Sequence, residues 1–491
     1  MKIYNILHGI FAVIIIGSFC SCRPTADVPA PSKASLDLSK YVAIGNSITS
    51  GFADAALYYA GQQVSYPNLL AQQFAKVGGS ATFVQPLVPE NSVGIGTSGN
   101  SKLVLGVVNG QLTPVPAAAT GDLSIFTTSV ASQGPFNNMG VPGAKAITTI
   151  FPGYGNPANG AGNYNPFFTR MATNPATASV LSDAAAQKPT FFSMFIGNND
   201  VLAYALAGGA SDSISSLSLF QYSIGIIIQT MMSTAKQGAV ANIPDITSLP
   251  YFTTIPYTPL ATGAIGADTI TQLNTNLYGP LKQALTAFGA GDRINLLSAT
   301  AANPVLIKDV SLTNLSAQLT IALTPALGAA NAAAFGQVFG QARQTTADDY
   351  ILLTTSSVIG TNVPNVPSPI NVYGISYPLD DQYVLTKTEA GNIQTATTGF
   401  NSILKNAAST AGLAYVDVNA FLASAKTGIM YDGRSINATF VTGGAFSLDG
   451  IHLTPLGNAL LSNQFIMAIN KQYGSTIPLI DASNYNGVVF P

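Results

Sequence analysis

Short apolar runs recur along the chain, and each ends at glycine or at small polar residues. They cover residues 41–49, 190–196, 238–245 and 414–418. Runs of this length without a polar alternation predict strands that are buried on both faces. Between and after them stand helical patterns, such as the capping-box sequence at Thr386 with apolar positions from 393 to 407. Strand and helix thus alternate, which predicts an α/β fold with a parallel sheet covered by helices on both faces.

Two long segments interrupt this alternation. Residues 80–130 contain short Val, Leu and Ile runs broken by Gly, Ser and Pro, which predicts irregular or small-sheet structure. Residues 255–375 combine alanine-rich helical stretches with a strand-like run at 350–354. No clean linker sets the second segment apart. We therefore interpret both segments as insertions within a single domain that spans residues 39–491.

The N-terminus has the pattern of an export signal. Lys2 precedes an apolar stretch from about 6 to 19, which is shorter than the roughly 20 residues that a membrane-spanning helix needs. The sequence Ser21-Cys22 resembles the lipobox of bacterial lipoproteins, which implies cleavage after Ser21 and acylation of Cys22. We therefore predict a signal peptide over residues 1–21.

The residues that follow Cys22 are rich in Pro, Ala and Ser, and they predict a flexible tether over residues 22–38. A lipid anchor would hold the protein at a membrane of the bacterial cell envelope, in the periplasm or at the outer membrane. Plain secretion is the alternative, because Phe19 stands where leucine is commoner in a lipobox and Cys20 competes with Cys22.

The composition narrows the classes of function. Only 8% of the residues are charged, and the net charge is −2; without a basic run, this argues against nucleic acid as a partner. Both cysteines and His8 lie in the export signal, which leaves the mature chain with one histidine. This composition argues against a disulfide or a zinc site. Glu90 and Glu389 are the only glutamates, which argues against a glutamate pair for glycoside hydrolysis.

The remaining imidazole, His452, is the candidate base for chemistry near neutral pH. Asp449 precedes it by three residues, so a tight turn would bring the carboxylate to the ring and fix one tautomer. Thr454 and Pro455 predict the N-cap and the first residue of a helix, which places His452 on a loop, where functional residues are common. A histidine that only satisfies a structural hydrogen bond is the alternative.

Three further positions lie where loops follow predicted strands or glycine-rich turns. Ser47 follows the first strand at its carboxyl end, where open α/β sheets bind ligands; alternatively, it only caps the next helix. The spaced glycines before and at Gly143 allow a backbone N–H to approach a ligand closely. Asn198 and Asn199 follow the strand at 190–196, and they either close a turn or direct one amide into a site.

Four stretches now follow one another in order: GNSI at 45–48, NMGVPG at 138–143, GNND at 197–200 and DGIH at 449–452. Together they resemble the four sequence blocks of the SGNH, or GDSL-type, hydrolase family, and the resemblance covers residues 39–475 with insertions. It implies a flavodoxin-like fold, a three-layer α/β/α sandwich around a parallel sheet of about five strands.

The resemblance also implies the roles of single residues. Ser47 would be the nucleophile, His452 the base and Asp449 the acid that orients it, while Ser47, Gly143 and Asn199 would form the oxyanion hole. The family chemistry uses no metal and no cofactor. Asn46 departs from the pattern, because aspartate is usual beside the nucleophile. That aspartate supports the turn through hydrogen bonds that an amide can also make, so we expect activity to survive.

These roles imply a serine esterase or lipase that hydrolyses carboxylic esters through an acyl-serine, with acyl transfer as a variant. The expected substrate is a small-molecule, lipid or acylated-glycan ester, and the sequence leaves the choice and the oligomeric state open. The alternative is a catalytically inactive lipoprotein of the same fold that binds glycan or lipid at the envelope. A glycosidase or phosphodiesterase on another α/β scaffold would lack its carboxylate pair or its metal ligands.

Overall fold

Five parallel strands form the central sheet of the protein, for which a computed structural model describes residues 29–108 and 110–491. The strands are β1 (Tyr41–Gly45), β2 (Asn138–Gly140), β3 (Phe191–Phe195), β4 (Gln237–Ala241) and β5 (Ala414–Val416). Their order in the sheet is β2-β1-β3-β4-β5, and each neighbouring pair is parallel. Strands β1, β2 and β3 are buried along their whole length. The predicted α/β fold with a five-stranded parallel sheet is confirmed.

The path of the chain through the sheet creates a crevice. From β1 the chain passes to β2 on one side and then crosses to β3 on the other side of β1. The loops after β1 and β3 therefore leave the sheet in opposite directions, and ligands of open α/β sheets bind at such a point beyond the carboxyl ends of the strands. Ser47 and Asn199 follow these two strands directly.

Eight helices are associated with the sheet, and several follow from their sequence. They are α1 (Ser47–Ser50), α2 (Tyr66–Lys76), α3 (Ala146–Ile150), α4 (Val180–Ala186), α5 (Asn199–Leu206), α6 (Leu217–Met232), α7 (Lys387–Thr410) and α8 (Pro455–Tyr473). The predicted helix starts are confirmed. Glu389 accepts the N–H of Thr386 at 2.7 Å before α7, and the hydroxyl of Thr454 accepts the N–H of Gly457 at 3.0 Å in α8. A cap of this kind is worth about 1 kcal/mol.

The helices form two packed groups. Helix α2 packs on α8, with the rings of Tyr66 and Phe465 stacked at 4.6 Å between centroids. Helices α3, α4 and α7 pack on α6, where Phe220 and Phe400 stack at 4.1 Å. Shorter helices connect the elements, at Tyr59–Gln63, Ser124–Thr127, Pro166–Thr169, Pro250–Thr253 and Val418–Ser424. None of the helices in the described ranges is sufficiently long and apolar to cross a membrane.

The segment 80–130 lacks a strand–helix unit, as predicted. Its regular part is an antiparallel hairpin of Leu103–Val108 and Gln111–Pro116. Outward-facing apolar residues are part of this hairpin; Val107 is 69% exposed. The N–H of Leu103 donates to the carbonyl of Asp54 at 2.8 Å, which fastens the hairpin to the loop that follows α1.

The segment 255–375 has a hydrophobic core of its own, separate from that of the sheet. Its helices are Ala267–Leu273, Gly279–Thr286, Ser316–Leu327 and Ala329–Phe339, and its hairpin pairs Leu306–Lys308 with Ala342–Gln344. The predicted strand at 350–354 is shorter than expected. It comprises Tyr350–Ile351, pairs with Val384–Leu385, forms a single bridge from Ile351 to Ile255, and then turns into a short 3-10 helix. The 3-10 helix begins at Leu353, which ends the strand before the predicted residue 354.

The predicted signal peptide over residues 1–21 and Cys22 lie outside the described residues. The described part of the predicted tether, residues 29–38, packs on the body. Leu36 and Leu38 are buried in the main core, and Thr476 donates to the carbonyls of Ser32 and Ala30 at 2.8 and 2.7 Å. The predicted boundary at residue 38 is therefore wrong, because two leucines in a Pro- and Ala-rich stretch find apolar partners far along the chain.

Candidate active site

Ser47 is the first residue of α1, directly beyond the carboxyl end of β1. A Cβ atom on Gly45 would lie 2.6 Å from the carbonyl oxygen of Phe195, so only glycine allows the strand to turn this close to its neighbour. The side chain of Asn46 caps α1 by accepting the N–H of Ile48 at 3.2 Å. The interpretation that Ser47 only caps this helix is therefore wrong, and its hydroxyl is free for another partner.

That partner is His452. The hydroxyl oxygen of Ser47 lies 2.8 Å from Nε2 of His452, and Nδ1 of the same ring lies 2.7 Å from Oδ2 of Asp449. Next to a carboxylate, Nδ1 carries the proton, which leaves Nε2 to accept the serine hydroxyl. The three predicted residues thus form one hydrogen-bonded chain, although 405 positions separate Ser47 from His452. All three are at least nine-tenths buried.

Asp449 is held by more than the histidine. Its Oδ1 accepts the N–H groups of Ile451 and His452 at 2.9 Å and the hydroxyl of Ser447 at 3.0 Å, while Oδ2 also accepts the N–H of Ala55 at 2.9 Å. Burial by itself would raise the pKa of this carboxyl, but the His452 ring and the backbone donors outweigh it and hold the pKa well below its usual range. Asp449 therefore stays ionised wherever the imidazole needs a counter-charge.

The loop that holds Asp449 was not predicted from the sequence. Asp54 and Ala55 both have left-handed backbone conformations, with φ of 50° and 62°, which are uncommon for residues other than glycine. In this conformation the N–H of Asp54 donates to the hydroxyl of Ser447, and the carboxylate of Asp54 accepts the N–H of Leu448 and the hydroxyl of Tyr58. Asp54 and Ala55 position the loop from Ser447 to Asp449, and no local sequence pattern indicates such a turn.

Gly143 and Asn199 line the same cleft as Ser47 and His452. Gly143 has φ of +80°, a conformation that favours glycine, and its N–H donates to no other group in the described residues. The amide of Asn199 donates one hydrogen to the carbonyl of Ala144 at 3.0 Å, so its second hydrogen remains. The N–H of Ser47 likewise has no acceptor among the described residues. The three predicted oxyanion donors therefore lie around one cleft.

Asn198 differs from Asn199. It is buried, its side chain makes no cap to α5, and its Oδ1 atom has no hydrogen-bond partner in the described part of the chain. It contributes to a small pocket behind Ser47 and not to the cleft that contains Gly143. The amide of Asn46 is also without a partner among the described residues. The Oδ1 atom of Asn46 thus makes the bond that supports the turn, as expected, while its amide group is buried unpaired.

Asp200, beside Asn199, makes the stability of the folded protein depend on pH. Its Oδ2 accepts the N–H of Ala146 at 2.9 Å, and burial raises its pKa to about 6 although this bond and Lys145 oppose the shift. Because the folded-state pKa lies above the ordinary value of 3.8, folding takes up a proton between about pH 4 and pH 6. Stability is therefore lost as the pH rises through this window.

We expect Asp200→Asn to stabilise the protein more at pH 7 than at pH 4. The free energy of unfolding of the variant minus that of the wild type should be about 3 kcal/mol larger at pH 7, since a shift of two pKa units corresponds to that difference. Asparagine keeps an acceptor for Ala146 and cannot ionise. Urea unfolding from pH 4 to pH 8 measures the gap between the variant and the wild type. Asp268→Asn, at an exposed position, is the control and should show a constant gap; a constant gap for Asp200→Asn would contradict the argument.

Comparisons with known proteins add no relative to this picture: no protein-family model matches the chain, and no curated protein matches it. Within residues 29–108 and 110–491, no group of three or more His, Cys, Asp or Glu side chains is placed to hold a metal ion. The site itself combines a serine hydroxyl, an imidazole and a carboxylate with several N–H donors. Such a set can make and break an acyl bond.

Proposed function

We propose that the protein is a serine hydrolase that cleaves carboxylic esters through an acyl-serine intermediate. The observation that supports this most directly is the hydrogen-bonded chain from Ser47 through His452 to Asp449, with separations of 2.8 and 2.7 Å. Serine is a weak nucleophile until a base removes its proton during attack. His452 is that base, and Asp449 is the carboxylate beside it that stays ionised.

The reaction proceeds in two halves. In the first, Oγ of Ser47 attacks the ester carbonyl while Nε2 of His452 takes the hydroxyl proton, and Asp449 stabilises the imidazolium that forms. The oxyanion of the tetrahedral intermediate accepts hydrogen bonds from the N–H groups of Ser47 and Gly143 and from the amide of Asn199. Collapse of the intermediate transfers the proton from His452 to the leaving alcohol. In the second half water repeats the attack on the acyl-serine, and another alcohol in its place gives acyl transfer.

We further propose that the protein is an SGNH, or GDSL-type, hydrolase with a three-layer α/β/α sandwich. Three of the four motif blocks lie where β1, β2 and β3 end, and the fourth meets the first through the 2.8 Å contact of His452 with Ser47. The strand order 2-1-3-4-5 is that of flavodoxin-like sheets. The full burial of β1 and β3 and the two packed groups of helices agree with helices on both faces.

The proposed location is the bacterial cell envelope, with a lipid on Cys22, and it rests on the sequence of the export signal alone. The alternative function is an inactive protein of this fold that binds glycan or lipid. The contacts of both imidazole nitrogens of His452 argue against this alternative. A binding protein has no need for a serine hydroxyl 2.8 Å from a histidine that a buried carboxylate orients.

Labelling with a fluorophosphonate probe tests the proposal without knowledge of the substrate, since the probe reacts with activated serines. We expect the wild type to be labelled and Ser47→Ala to remain unlabelled. Ser50→Ala, three residues along in the same helix, is the matched control and should label like the wild type. A folded wild type that neither labels nor hydrolyses short and long p-nitrophenyl esters would favour the binding protein.

A further inference from the structure

Beside Ser47 lies an apolar cleft whose walls include residues of both inserted segments. Its volume is about 720 Å³, within the range of small-molecule sites. Leu103 and Pro114 of the hairpin line one part, and Leu353 and Thr354 of the second segment line another. Ser47 lies in the same lining, so a group bound in the cleft is within reach of the nucleophile.

The chemical character of the lining is apolar and neutral. Most of the surface that the lining exposes to the cleft is apolar, with contributions from Phe52, Leu202, Leu206 and Phe440. The polar contributions are hydroxyls and amides, and Asp449 is the only side chain of Asp, Glu, Lys or Arg among the described residues of the lining. Asp449 is already engaged by His452. The cleft therefore favours an uncharged apolar group, whose burial is the main source of binding free energy that such walls can offer.

A second, smaller pocket also contacts Ser47. It is lined by Leu202, Ile246, Leu249 and Phe446 together with Ser47 and His452, and its volume is only about 20 Å³. A water molecule needs about 10–15 Å³ on this scale, so the pocket has room for a water or a methyl group. Of these two cavities, the cleft is the one with space for a long chain attached to the reacting carbonyl.

We propose that the substrates are uncharged esters of medium- or long-chain acyl groups, with the acyl chain lying in the cleft between the two inserted segments. This inference rests on the proposed esterase function and adds the substrate class to it. It selects the lipid-like ester from the classes that the sequence left open. An acetylated glycan would place its hydroxyl-rich part against leucine side chains, where its polar groups would lose hydrogen bonds to water.

The dependence of rate on acyl length tests the inference. With p-nitrophenyl acetate, butyrate, octanoate and laurate, each below its critical micelle concentration, we expect kcat/KM to rise at least tenfold from acetate to octanoate because each added methylene buries apolar surface. Ser47→Ala should abolish every rate. A rate that falls with chain length, or release of acetate from an acetylated oligosaccharide faster than hydrolysis of the octanoate, would overturn the inference.

Variants in the walls of the cleft test where the acyl chain of the substrate lies. Leu103→Asp and Leu353→Asp place a charge in the cleft at partly exposed positions, and each is expected to lower kcat/KM on octanoate at least tenfold and on acetate less than twofold. Val107→Asp and Ile321→Asp are the matched controls. They put the same charge on the same two segments at sites that are 69% and 75% exposed and outside the cleft, and they should leave both rates unchanged.

The outcomes for the inference and for the proposed function are separate. Hydrolysis of the acetate that needs Ser47, with no gain on octanoate and no effect of the wall variants, leaves the esterase intact and removes only the acyl cleft. A wild type without fluorophosphonate labelling and without hydrolysis of any ester removes the function, and the inference with it. Equal losses on acetate and octanoate in the wall variants also contradict the inference, because they would show damage to the site as a whole.

Discussion

His452→Ala is expected to lower kcat on any ester that the protein hydrolyses by about 10⁶-fold, the scale found when the base of a serine triad is removed. Residues 29–108 and 110–491 contain no second histidine, so no neighbouring imidazole in the described structure can take over proton transfer from Ser47. Single-turnover and steady-state kinetics at pH 7 measure the loss. A variant that keeps more than about one hundredth of the wild-type kcat would contradict the role of His452 as the base.

Two further variants test whether this loss comes from the proposed proton transfer. The double variant with Ser47→Ala should be no slower than either single variant, because the groups act as a unit. Asp449→Asn should lose less, about 10⁴-fold, since the imidazole remains and only its orientation and counter-charge are lost. Thermal unfolding of each variant checks that the loss of rate is not a loss of fold. Independent, multiplying losses for Ser47→Ala and His452→Ala would argue against a shared proton transfer.

Asn199→Ala is expected to lower kcat by about 10²–10³-fold with little change in KM, the scale for one oxyanion donor. The reason is that the bond to the oxyanion forms mainly in the transition state, so its loss affects turnover and not ground-state binding. Steady-state kinetics on one ester measures both constants. If Asn199 only ties Ala144 to α5, the variant should instead unfold at a lower temperature while the folded fraction keeps nearly full activity.

Asn198→Ala is the internal control for this prediction. Asn198 lines the small pocket but not the cleft that contains Gly143, so we expect its kcat to stay within about tenfold of the wild type. Asn198→Ala inactive and Asn199→Ala active would mean that the donor is the first amide and not the second.

The sequence was most informative where the structure depends on local pattern. Continuous apolar runs predicted β1 and β3, and the capping sequences at Thr386 and Thr454 predicted the starts of two long helices. The resemblance to the four SGNH blocks implied that Ser47 and Asn199 belong to a common site, and the structure places them in one cleft. Asp449 and His452 were paired correctly because their spacing suits a tight turn.

Other features depend on contacts between distant parts of the chain, and the sequence did not reveal them. The left-handed turn at Asp54 and Ala55 exists because its N–H groups meet Ser447 and Asp449, nearly 400 residues away. The separate core of residues 255–375 likewise forms from helices whose partners no local pattern specifies. Leu36 and Leu38 were assigned to a tether because the Pro-, Ala- and Ser-rich composition of residues 22–38 favoured a flexible segment, and two leucines were too weak a signal of packing. The pattern of apolar and polar residues predicts the helices and strands, but it does not predict which of them pack together.

The attachment of residues 30–38 has a consequence for orientation. This segment runs along the edge of the sheet where the strands begin, bonded to Gln237 at the start of β4 and leading into β1 at Tyr41, whereas Ser47 lies at the edge where the strands end. Whatever is joined to the chain before residue 30 is therefore attached at the edge of the sheet opposite to the edge at which Ser47 lies.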